Sequence, residues 1–345
     1  MAKYLITGAS GWLGANLLSV LLKTSGDPNR GLVDAGLEIT CLCLPDELDE
    51  KRTFYPSNVS WVPGNLKTGE GLDGFFSNSS GAVLIHLAGL IHPRMLSRDF
   101  RLVNVEGTKR LMEMAKINGI RKSIVMSSNS PLGCNLSMNH VFTEESPYNP
   151  YLGYGRSKYL MEVYLRDLMS SNKYFPIVII RAPWFYGPFQ PERQKQFFKM
   201  IEKGKFPIMG NGRQRRSMVY TENLCQGILL AMDNEAANNE IFWIADKNPY
   251  SMNEITSTIK DLLVNEFGVD CNQSELRMPS FLSDIAYFGD FILQFSGLYS
   301  QKIHVMSEMN KTIACSIDKS EQVLGYKPKY ALREGMYRSL SEIYR

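Results

Sequence analysis

The run Thr7-Gly8-Ala9-Ser10-Gly11-Trp12-Leu13-Gly14 decides the fold. It follows the β-rich Tyr4 to Thr7 and opens the helical pattern Gly11 to Leu22. Glycines at this spacing permit a tight turn and let backbone N–H groups approach a pyrophosphate, whose charge a helix N-terminus favours. Glycine turns also join strands to helices for structural reasons alone, so the surroundings carry the reading. Downstream, strand-like runs at Glu38 to Leu44, Val59 to Val62, Val83 to Leu87, Ser123 to Ser127 and Pro176 to Ile180 are separated by three helical stretches: Gly71 to Phe76, Asp99 to Asn118 and Tyr154 to Ser170. This alternation predicts an α/β fold, a Rossmann-type doubly wound parallel sheet that binds its ligand beyond the carboxyl ends of the strands.

Residues 1–185 therefore read as a dinucleotide-binding, Rossmann domain. Past residue 185 the alternation is lost among the Pro and Gly clusters Gly187 to Pro191, Lys203 to Pro207 and Gly210 to Gly212. Residues 186–345 read as mainly a smaller substrate-binding lobe, with some later segments returning to the sheet. Thr24 to Gly36, rich in Gly, Asp, Pro and Asn, reads as a long solvated loop.

Apolar residues make up 44% of the 345, charged residues 21%, and there are 16 prolines, which excludes a disordered or collagen-like chain. A net charge of +3 is too mild for a nucleic-acid partner and points to small molecules. The six cysteines are scattered, with no CxxC pair and no zinc-spaced histidine, so no metal site is expected. The chain opens directly on a strand, without a leader pattern, and a cytoplasmic location is expected. Phe281 to Leu298 is interrupted by Asp284, Asp290 and Gln294, so no transmembrane segment is expected. Within it Phe281, Ile285, Phe288, Ile292 and Phe295 fall at helical spacing; packing within the core or lobe is the expectation, and contact with a membrane surface is the alternative.

Tyr154-Gly155-Arg156-Ser157-Lys158 sets a phenol and an ammonium one turn apart on a single helix face. A cation beside a tyrosine stabilises its phenolate, so the pair can move a proton to or from a substrate oxygen while hydride moves to or from a nicotinamide. YxxxK is common by chance. Here it follows the glycine turn by about 140 residues and a strand ending in Ser127-Ser128. Tyr151 stands seven residues from Lys158, a structural spacing.

At this point the chain resembles the extended short-chain dehydrogenase/reductase superfamily, which includes NAD-dependent epimerases and dehydratases and 3β-hydroxysteroid dehydrogenases. The resemblance spans the chain. Its carriers are the glycine turn, Gly64-Asn65-Leu66, His86-Leu87-Ala88-Gly89, Asn104-Val105-Glu106-Gly107-Thr108, Ser127-Ser128, Tyr154 with Lys158, Arg181 to Pro188 (RAPWFYGP) and Leu324-Gly325-Tyr326-Lys327-Pro328.

The resemblance implies an NAD(P)-dependent oxidoreductase or epimerase that acts at a secondary alcohol or ketone. Tyr154 is its acid/base, Lys158 lowers the tyrosine pKa and holds the nicotinamide ribose, and Ser128 polarises the reacting oxygen. Gly8, Ser10, Gly11, Trp12, Leu13 and Gly14 surround the pyrophosphate. Cys43, Asn65 and Leu66 fall on the adenosine side, and Leu87, Ala88, Gly89, Asn104 and Pro183 lie along the rest of the cofactor. The second strand ends Cys43-Leu44-Pro45-Asp46, with neither the usual acid nor an arginine in place, so NAD is favoured weakly, with Asp46 as a stand-in acid, and NADP stays open. Asn65 stands where the family usually has Asp. A homodimer is implied, joined through the helices of Asp99 to Asn118 and Tyr154 to Ser170.

Asn129-Ser130 replaces the Asp-Glu pair of sugar dehydratases, which favours simple hydride transfer or 4-epimerisation over elimination. Trp184 replaces the asparagine of RPxNVYGP, so it either faces an apolar substrate or packs behind the nicotinamide loop. Arg216, in GNGRQRRSMVYTEN, matches the arginine that clamps a substrate diphosphate, with a surface salt-bridge cluster as the other reading. His86 and His92 read as packing residues rather than a proton shuttle, although HLAGLIHP resembles the hydroxysteroid branch. A nucleotide sugar is the leading substrate class and a hydroxysteroid or similar apolar ketone the second. A non-catalytic dinucleotide sensor is the rival of another kind.

Overall fold

The structure, a computed structural model, describes residues 2–22, 37–171 and 175–345; the expected Thr24 to Gly36 loop lies outside them. Six strands in the first half, β1 (Ala2–Thr7), β2 (Leu37–Cys43), β3 (Val59–Pro63), β4 (Val83–His86), β5 (Lys122–Ser128) and β6 (Ile177–Ala182), join β7 (Ile241–Trp243) in one parallel sheet. Its order is β7-β6-β5-β4-β1-β2-β3. Sequence order reverses between β1 and β4, and the crevice at such a reversal is where open α/β sheets bind ligands.

The strands are apolar on both faces because helices cover both. On one face Ile6, Ile85, Ile124 and Val178 pack with Leu13, Leu17 and Leu18 of α1 (Trp12–Leu21). On the other Leu5, Leu84, Val125 and Ile179 pack with Leu111 and Met112 of α2 (Thr108–Ile117) and Met161 and Leu165 of α3 (Leu152–Ser170). The strand runs read from sequence agree with these to within two residues at either end. The Asp99 to Asn118 helix departs in detail: Arg98–Arg101 and α2 are joined through a π-helical stretch, Leu102–Gly107. A stretch of this kind is frequent at functional sites because it re-aims a side chain.

The second half is not a separate body. Ile241–Trp243 lies at the sheet edge beside β6. The lobe itself includes α4 (Glu192–Glu202), α6 (Met252–Asn265), α7 (Phe281–Phe295), α8 (Gln301–Glu308) and α9 (Leu332–Tyr344), whereas α5 (Thr221–Asp233) packs Leu224, Cys225 and Ile228 on the sheet face beside α1. Phe198, Ile255, Leu262 and Met336 form the lobe's own core.

One expectation is overturned. The Phe281 to Phe295 stripe does not pack into the core or lobe; its five members are 52% to 86% exposed. The buried side of α7 is the small and polar one, Ser283, Ala286 and Asp290. Helical spacing reports that a helix has an apolar face but not which way that face turns. Here Asp290 is drawn inward by His304 on α8, 2.7 Å away.

Candidate active site

The glycine turn occupies the reversal crevice. Gly8 has φ +74°, a left-handed conformation, and a Cβ on it would stand 2.6 Å from the Ala88 nitrogen; one on Gly14 would stand 2.2 Å from the Gly8 carbonyl. The turn is thus fitted to the loop after β4 with no room for side chains. Gly11 caps α1, and among the described residues no side chain caps its first-turn N–H groups, which suits them to an anion. The Trp12 indole donates to the Pro188 carbonyl at 2.7 Å and its ring packs on Phe185, tying the turn to RAPWFYGP. Ser10 and Leu13 lie within the same turn. These residues fit a dinucleotide pyrophosphate.

Around the rest of the crevice the predicted residues play unequal parts. The Cys43 thiol is buried and donates to the Val62 carbonyl at 3.8 Å. Asp46 is exposed in the turn that follows. The Asn65 side-chain oxygen accepts the Lys67 N–H at 2.9 Å, so that acceptor is already engaged. Leu66 is buried against Gly107. Leu87 donates its N–H to the Thr7 carbonyl, which binds the loop after β4 to the end of β1.

Asn104, in the π-helical stretch, is a staple. Its oxygen accepts the Leu90 N–H at 2.7 Å, and its amide donates to the Leu90 carbonyl and to Ser157 on α3, both at 2.9 Å. The Ala88-Gly89 loop is thereby held against the helix that carries Tyr154 and Lys158. His86 is buried between Thr7 and Thr108, at 2.7 and 2.9 Å, and burial aided by the Lys158 charge lowers its pKa to about 3. It is a neutral packing residue, as the sequence suggested.

Tyr154, Lys158 and Ser128 come together at the carboxyl end of β5. Burial pushes the Tyr154 phenol up to about 12; the Ser128 hydroxyl and the Arg193 guanidinium pull it down, and Glu308 pushes it up. Burial lowers Lys158 to about 8 against the Glu162 carboxylate, and its ammonium donates to the Met126 carbonyl at 2.9 Å. Lys158 thus stands on the cofactor side of the site, near Gly89. A cation that favours the Tyr154 phenolate is Arg193.

Arg193 is the residue that sequence reading missed. It sits on α4 just beyond the RAPWFYGP segment, exposed in the cleft yet hemmed in by protein, and makes no ion pair or hydrogen bond among the described residues. No motif marks it, because only folding brings α4 over Tyr154. Arg216 lies deeper in the lobe and donates to the Glu308 carbonyl. Trp184 packs edge-on against Phe197 at 5.1 Å. Pro183 is buried at the end of β6. Ser127 donates to Glu162, which is paired with buried Arg181 at 2.7 Å, a structural network. Tyr151 is bonded to Ser307 at 2.8 Å and is likewise structural. An aromatic wall of Phe100 and Tyr299 closes on the Tyr154 ring, and His92 bonds the Tyr299 hydroxyl at 2.5 Å. Among the described residues no cluster could hold a metal ion, and no helix is long and apolar enough to cross a membrane.

Fold and site define a dinucleotide-dependent enzyme of the tyrosine–lysine type. The chain belongs to the NAD dependent epimerase/dehydratase family, whose model matches residues 4–245. It is 48% identical to the uncharacterized protein y4nL of Sinorhizobium fredii over 97% of this chain and 93% of the relative. It is 24% identical to the N-acetyl-α-D-glucosaminyl-diphospho-ditrans,octacis-undecaprenol 4-epimerase of Escherichia coli O157:H7, over 97% and 93%. The fold is shared with the UDP-glucose 4-epimerase of Thermotoga maritima (TM-score 0.73, 20% identity, 98% and 97% covered) and with the dTDP-glucose 4,6-dehydratase of Bacillus anthracis in complex with NAD (TM-score 0.74, 18%, 99% and 96%). The protein is an NAD-dependent enzyme of this family.

Proposed function

We propose that this enzyme oxidises and re-reduces, or simply reduces, a secondary alcohol carbon of a sugar joined to a diphosphate. The observation that carries the reading is the meeting of Tyr154, Ser128 and the free Arg193 beside an uncapped glycine-turn helix end. The cofactor accepts or supplies the hydride. Ser128 hydrogen-bonds the reacting oxygen, and Tyr154 as phenolate takes its proton as the alcohol becomes a ketone and returns it on reduction. Lys158, on the cofactor side of the site beside Gly89, would hold the nicotinamide ribose. Arg193, and the part of the Arg216 guanidinium that faces away from Glu308, meet the phosphates.

Asn129 accepts from Ser128 at 3.3 Å where an acid would be needed for water elimination, which supports epimerisation or reduction over dehydration. An apolar ketone is the second reading, favoured by the Phe100–Tyr299 wall. The test is native mass spectrometry of the purified protein followed by turnover of UDP- and dTDP-sugars and of sterol ketones. Retained NAD with sugar epimerisation supports the first reading. An empty site with reduction of sterol ketones alone overturns it. A cytoplasmic location belongs to the same proposal.

A further inference from the structure

Among the described residues the outward face of α7 has no covering partner. Phe281, Ile285, Phe288, Phe291, Ile292 and Phe295 are each 50% to 86% exposed along one helix, and monomeric proteins rarely leave so long an apolar row in water. Leu298 and, on α8, Ile303 and Val305 extend it. The two acids of α7 do not interrupt it: Asp284 is tied to Lys311 at 2.6 Å and Asp290 is buried against His304.

Charge decides what fits this face. At the carboxyl end of α7 the segment Arg94 to Arg98 is fastened on, with the Ser97 N–H donating to the Gly297 carbonyl at 3.0 Å and Leu96 bridging Leu298. Arg94 and Arg98, with exposed Met95 between them, and Lys302 at the start of α8 are solvent-exposed. None of the three cations has an ion-pair partner among the described residues. A second copy of the chain would offer this face no free carboxylate from its own α7. Aromatic and aliphatic side chains bordered by unpaired cations match an acyl layer beneath anionic headgroups.

We propose that the α7–α8 hairpin docks the enzyme on an anionic lipid surface. The hairpin is continuous with the active site: Gln294 of α7 accepts the Gly153 N–H at 2.9 Å, one residue from Tyr154, and Tyr299, between the two helices, packs with Phe100 and Tyr154. Docking therefore brings the cleft up to the headgroups, where a sugar diphosphate carried on a lipid is presented to Tyr154. This consequence for substrate rests on the proposed reaction; the docking itself does not.

The full chain is sedimented with vesicles of phosphatidylcholine, with and without added phosphatidylglycerol. The expected result is binding to the anionic vesicles, weakened by salt and roughly tenfold weaker in Phe288→Glu/Phe295→Glu and in Arg94→Glu/Arg98→Glu. Circular dichroism and a cooperative melting curve serve as the folding check in each variant, and the milder Phe295→Ser replaces the double glutamate if that fails to fold. Wild-type protein left in the supernatant with anionic vesicles overturns the proposal, as does undiminished binding of the α7 variants. Light scattering that shows a dimer dissolved by Phe288→Glu, without vesicle binding, assigns the face to a second copy instead. Turnover of a soluble nucleotide sugar, read on the same samples, tests the reaction separately: its absence leaves vesicle binding intact, and its presence does not depend on it.

Discussion

At the scale of single residues the site divides its work between two cations. Lys158 is an ammonium inside protein, lowered to about 8, while Arg193 acts on the phenol. Tyr154→Phe is expected to lower turnover by about three orders of magnitude while leaving NAD binding intact, as checked by native mass spectrometry. Arg193→Ala removes the charge that favours the phenolate, so the Tyr154 pKa rises. The limb of the kcat/KM profile that Tyr154 sets, the acidic one when the alcohol is oxidised and the basic one when the ketone is reduced, then moves to higher pH by up to about one unit, and Arg193→Lys restores part of the shift. Lys158 has a folded pKa below its unfolded value, so the unfolded chain binds the extra proton between about 8 and the ordinary lysine value of 10.5. Stability from this group therefore rises with pH across that window, and below it the buried ammonium is a standing cost. Lys158→Met is expected to raise stability at neutral pH by about 1–3 kcal/mol, less the loss of the bond to Met126, while abolishing activity. A melting curve at pH 7 that falls instead would count against the buried charge.

At the scale of elements, the π-helical stretch Leu102–Gly107 is the part that joins cofactor loop to catalytic helix. Asn104 spends its amide on Leu90 and Ser157, so Asn104→Leu leaves the Leu90 N–H and carbonyl without partners. A loss of about 2–4 kcal/mol is expected, together with weaker NAD binding by titration calorimetry; an unchanged affinity would show that the loop holds itself. The Asn-Val-Glu-Gly-Thr segment was legible as a motif, but the π turn that aims Asn104 was not, since nothing in its composition separates it from an ordinary helix. The helix Leu48–Phe54 was likewise unread, being short and charged with little apolar periodicity.

For the whole molecule, the faces of α2 and α3 turned away from the sheet leave Ile117 76% and Val163 43% exposed. We propose that a homodimer forms there. Light scattering should give twice the chain mass at micromolar concentration, and Val163→Glu should shift it toward monomer. The sequence by itself determined the sheet, because parallel strands buried on both faces must be apolar throughout and their connections must be helical. It also determined the glycine turn and the Tyr154–Lys158 pair, because turn sterics and helical spacing are local rules that survive in any context. What only the tertiary structure decided depends on segments distant in the chain. Arg193 reaches Tyr154 because α4 folds over the cleft. The Asn65 acceptor and the Cys43 thiol are satisfied within the protein. The apolar side of α7 faces solvent because the contact between Asp290 and His304 sets the rotation of that helix. A periodic pattern fixes the face of a helix but carries no information about its neighbour, and only packing assigns one.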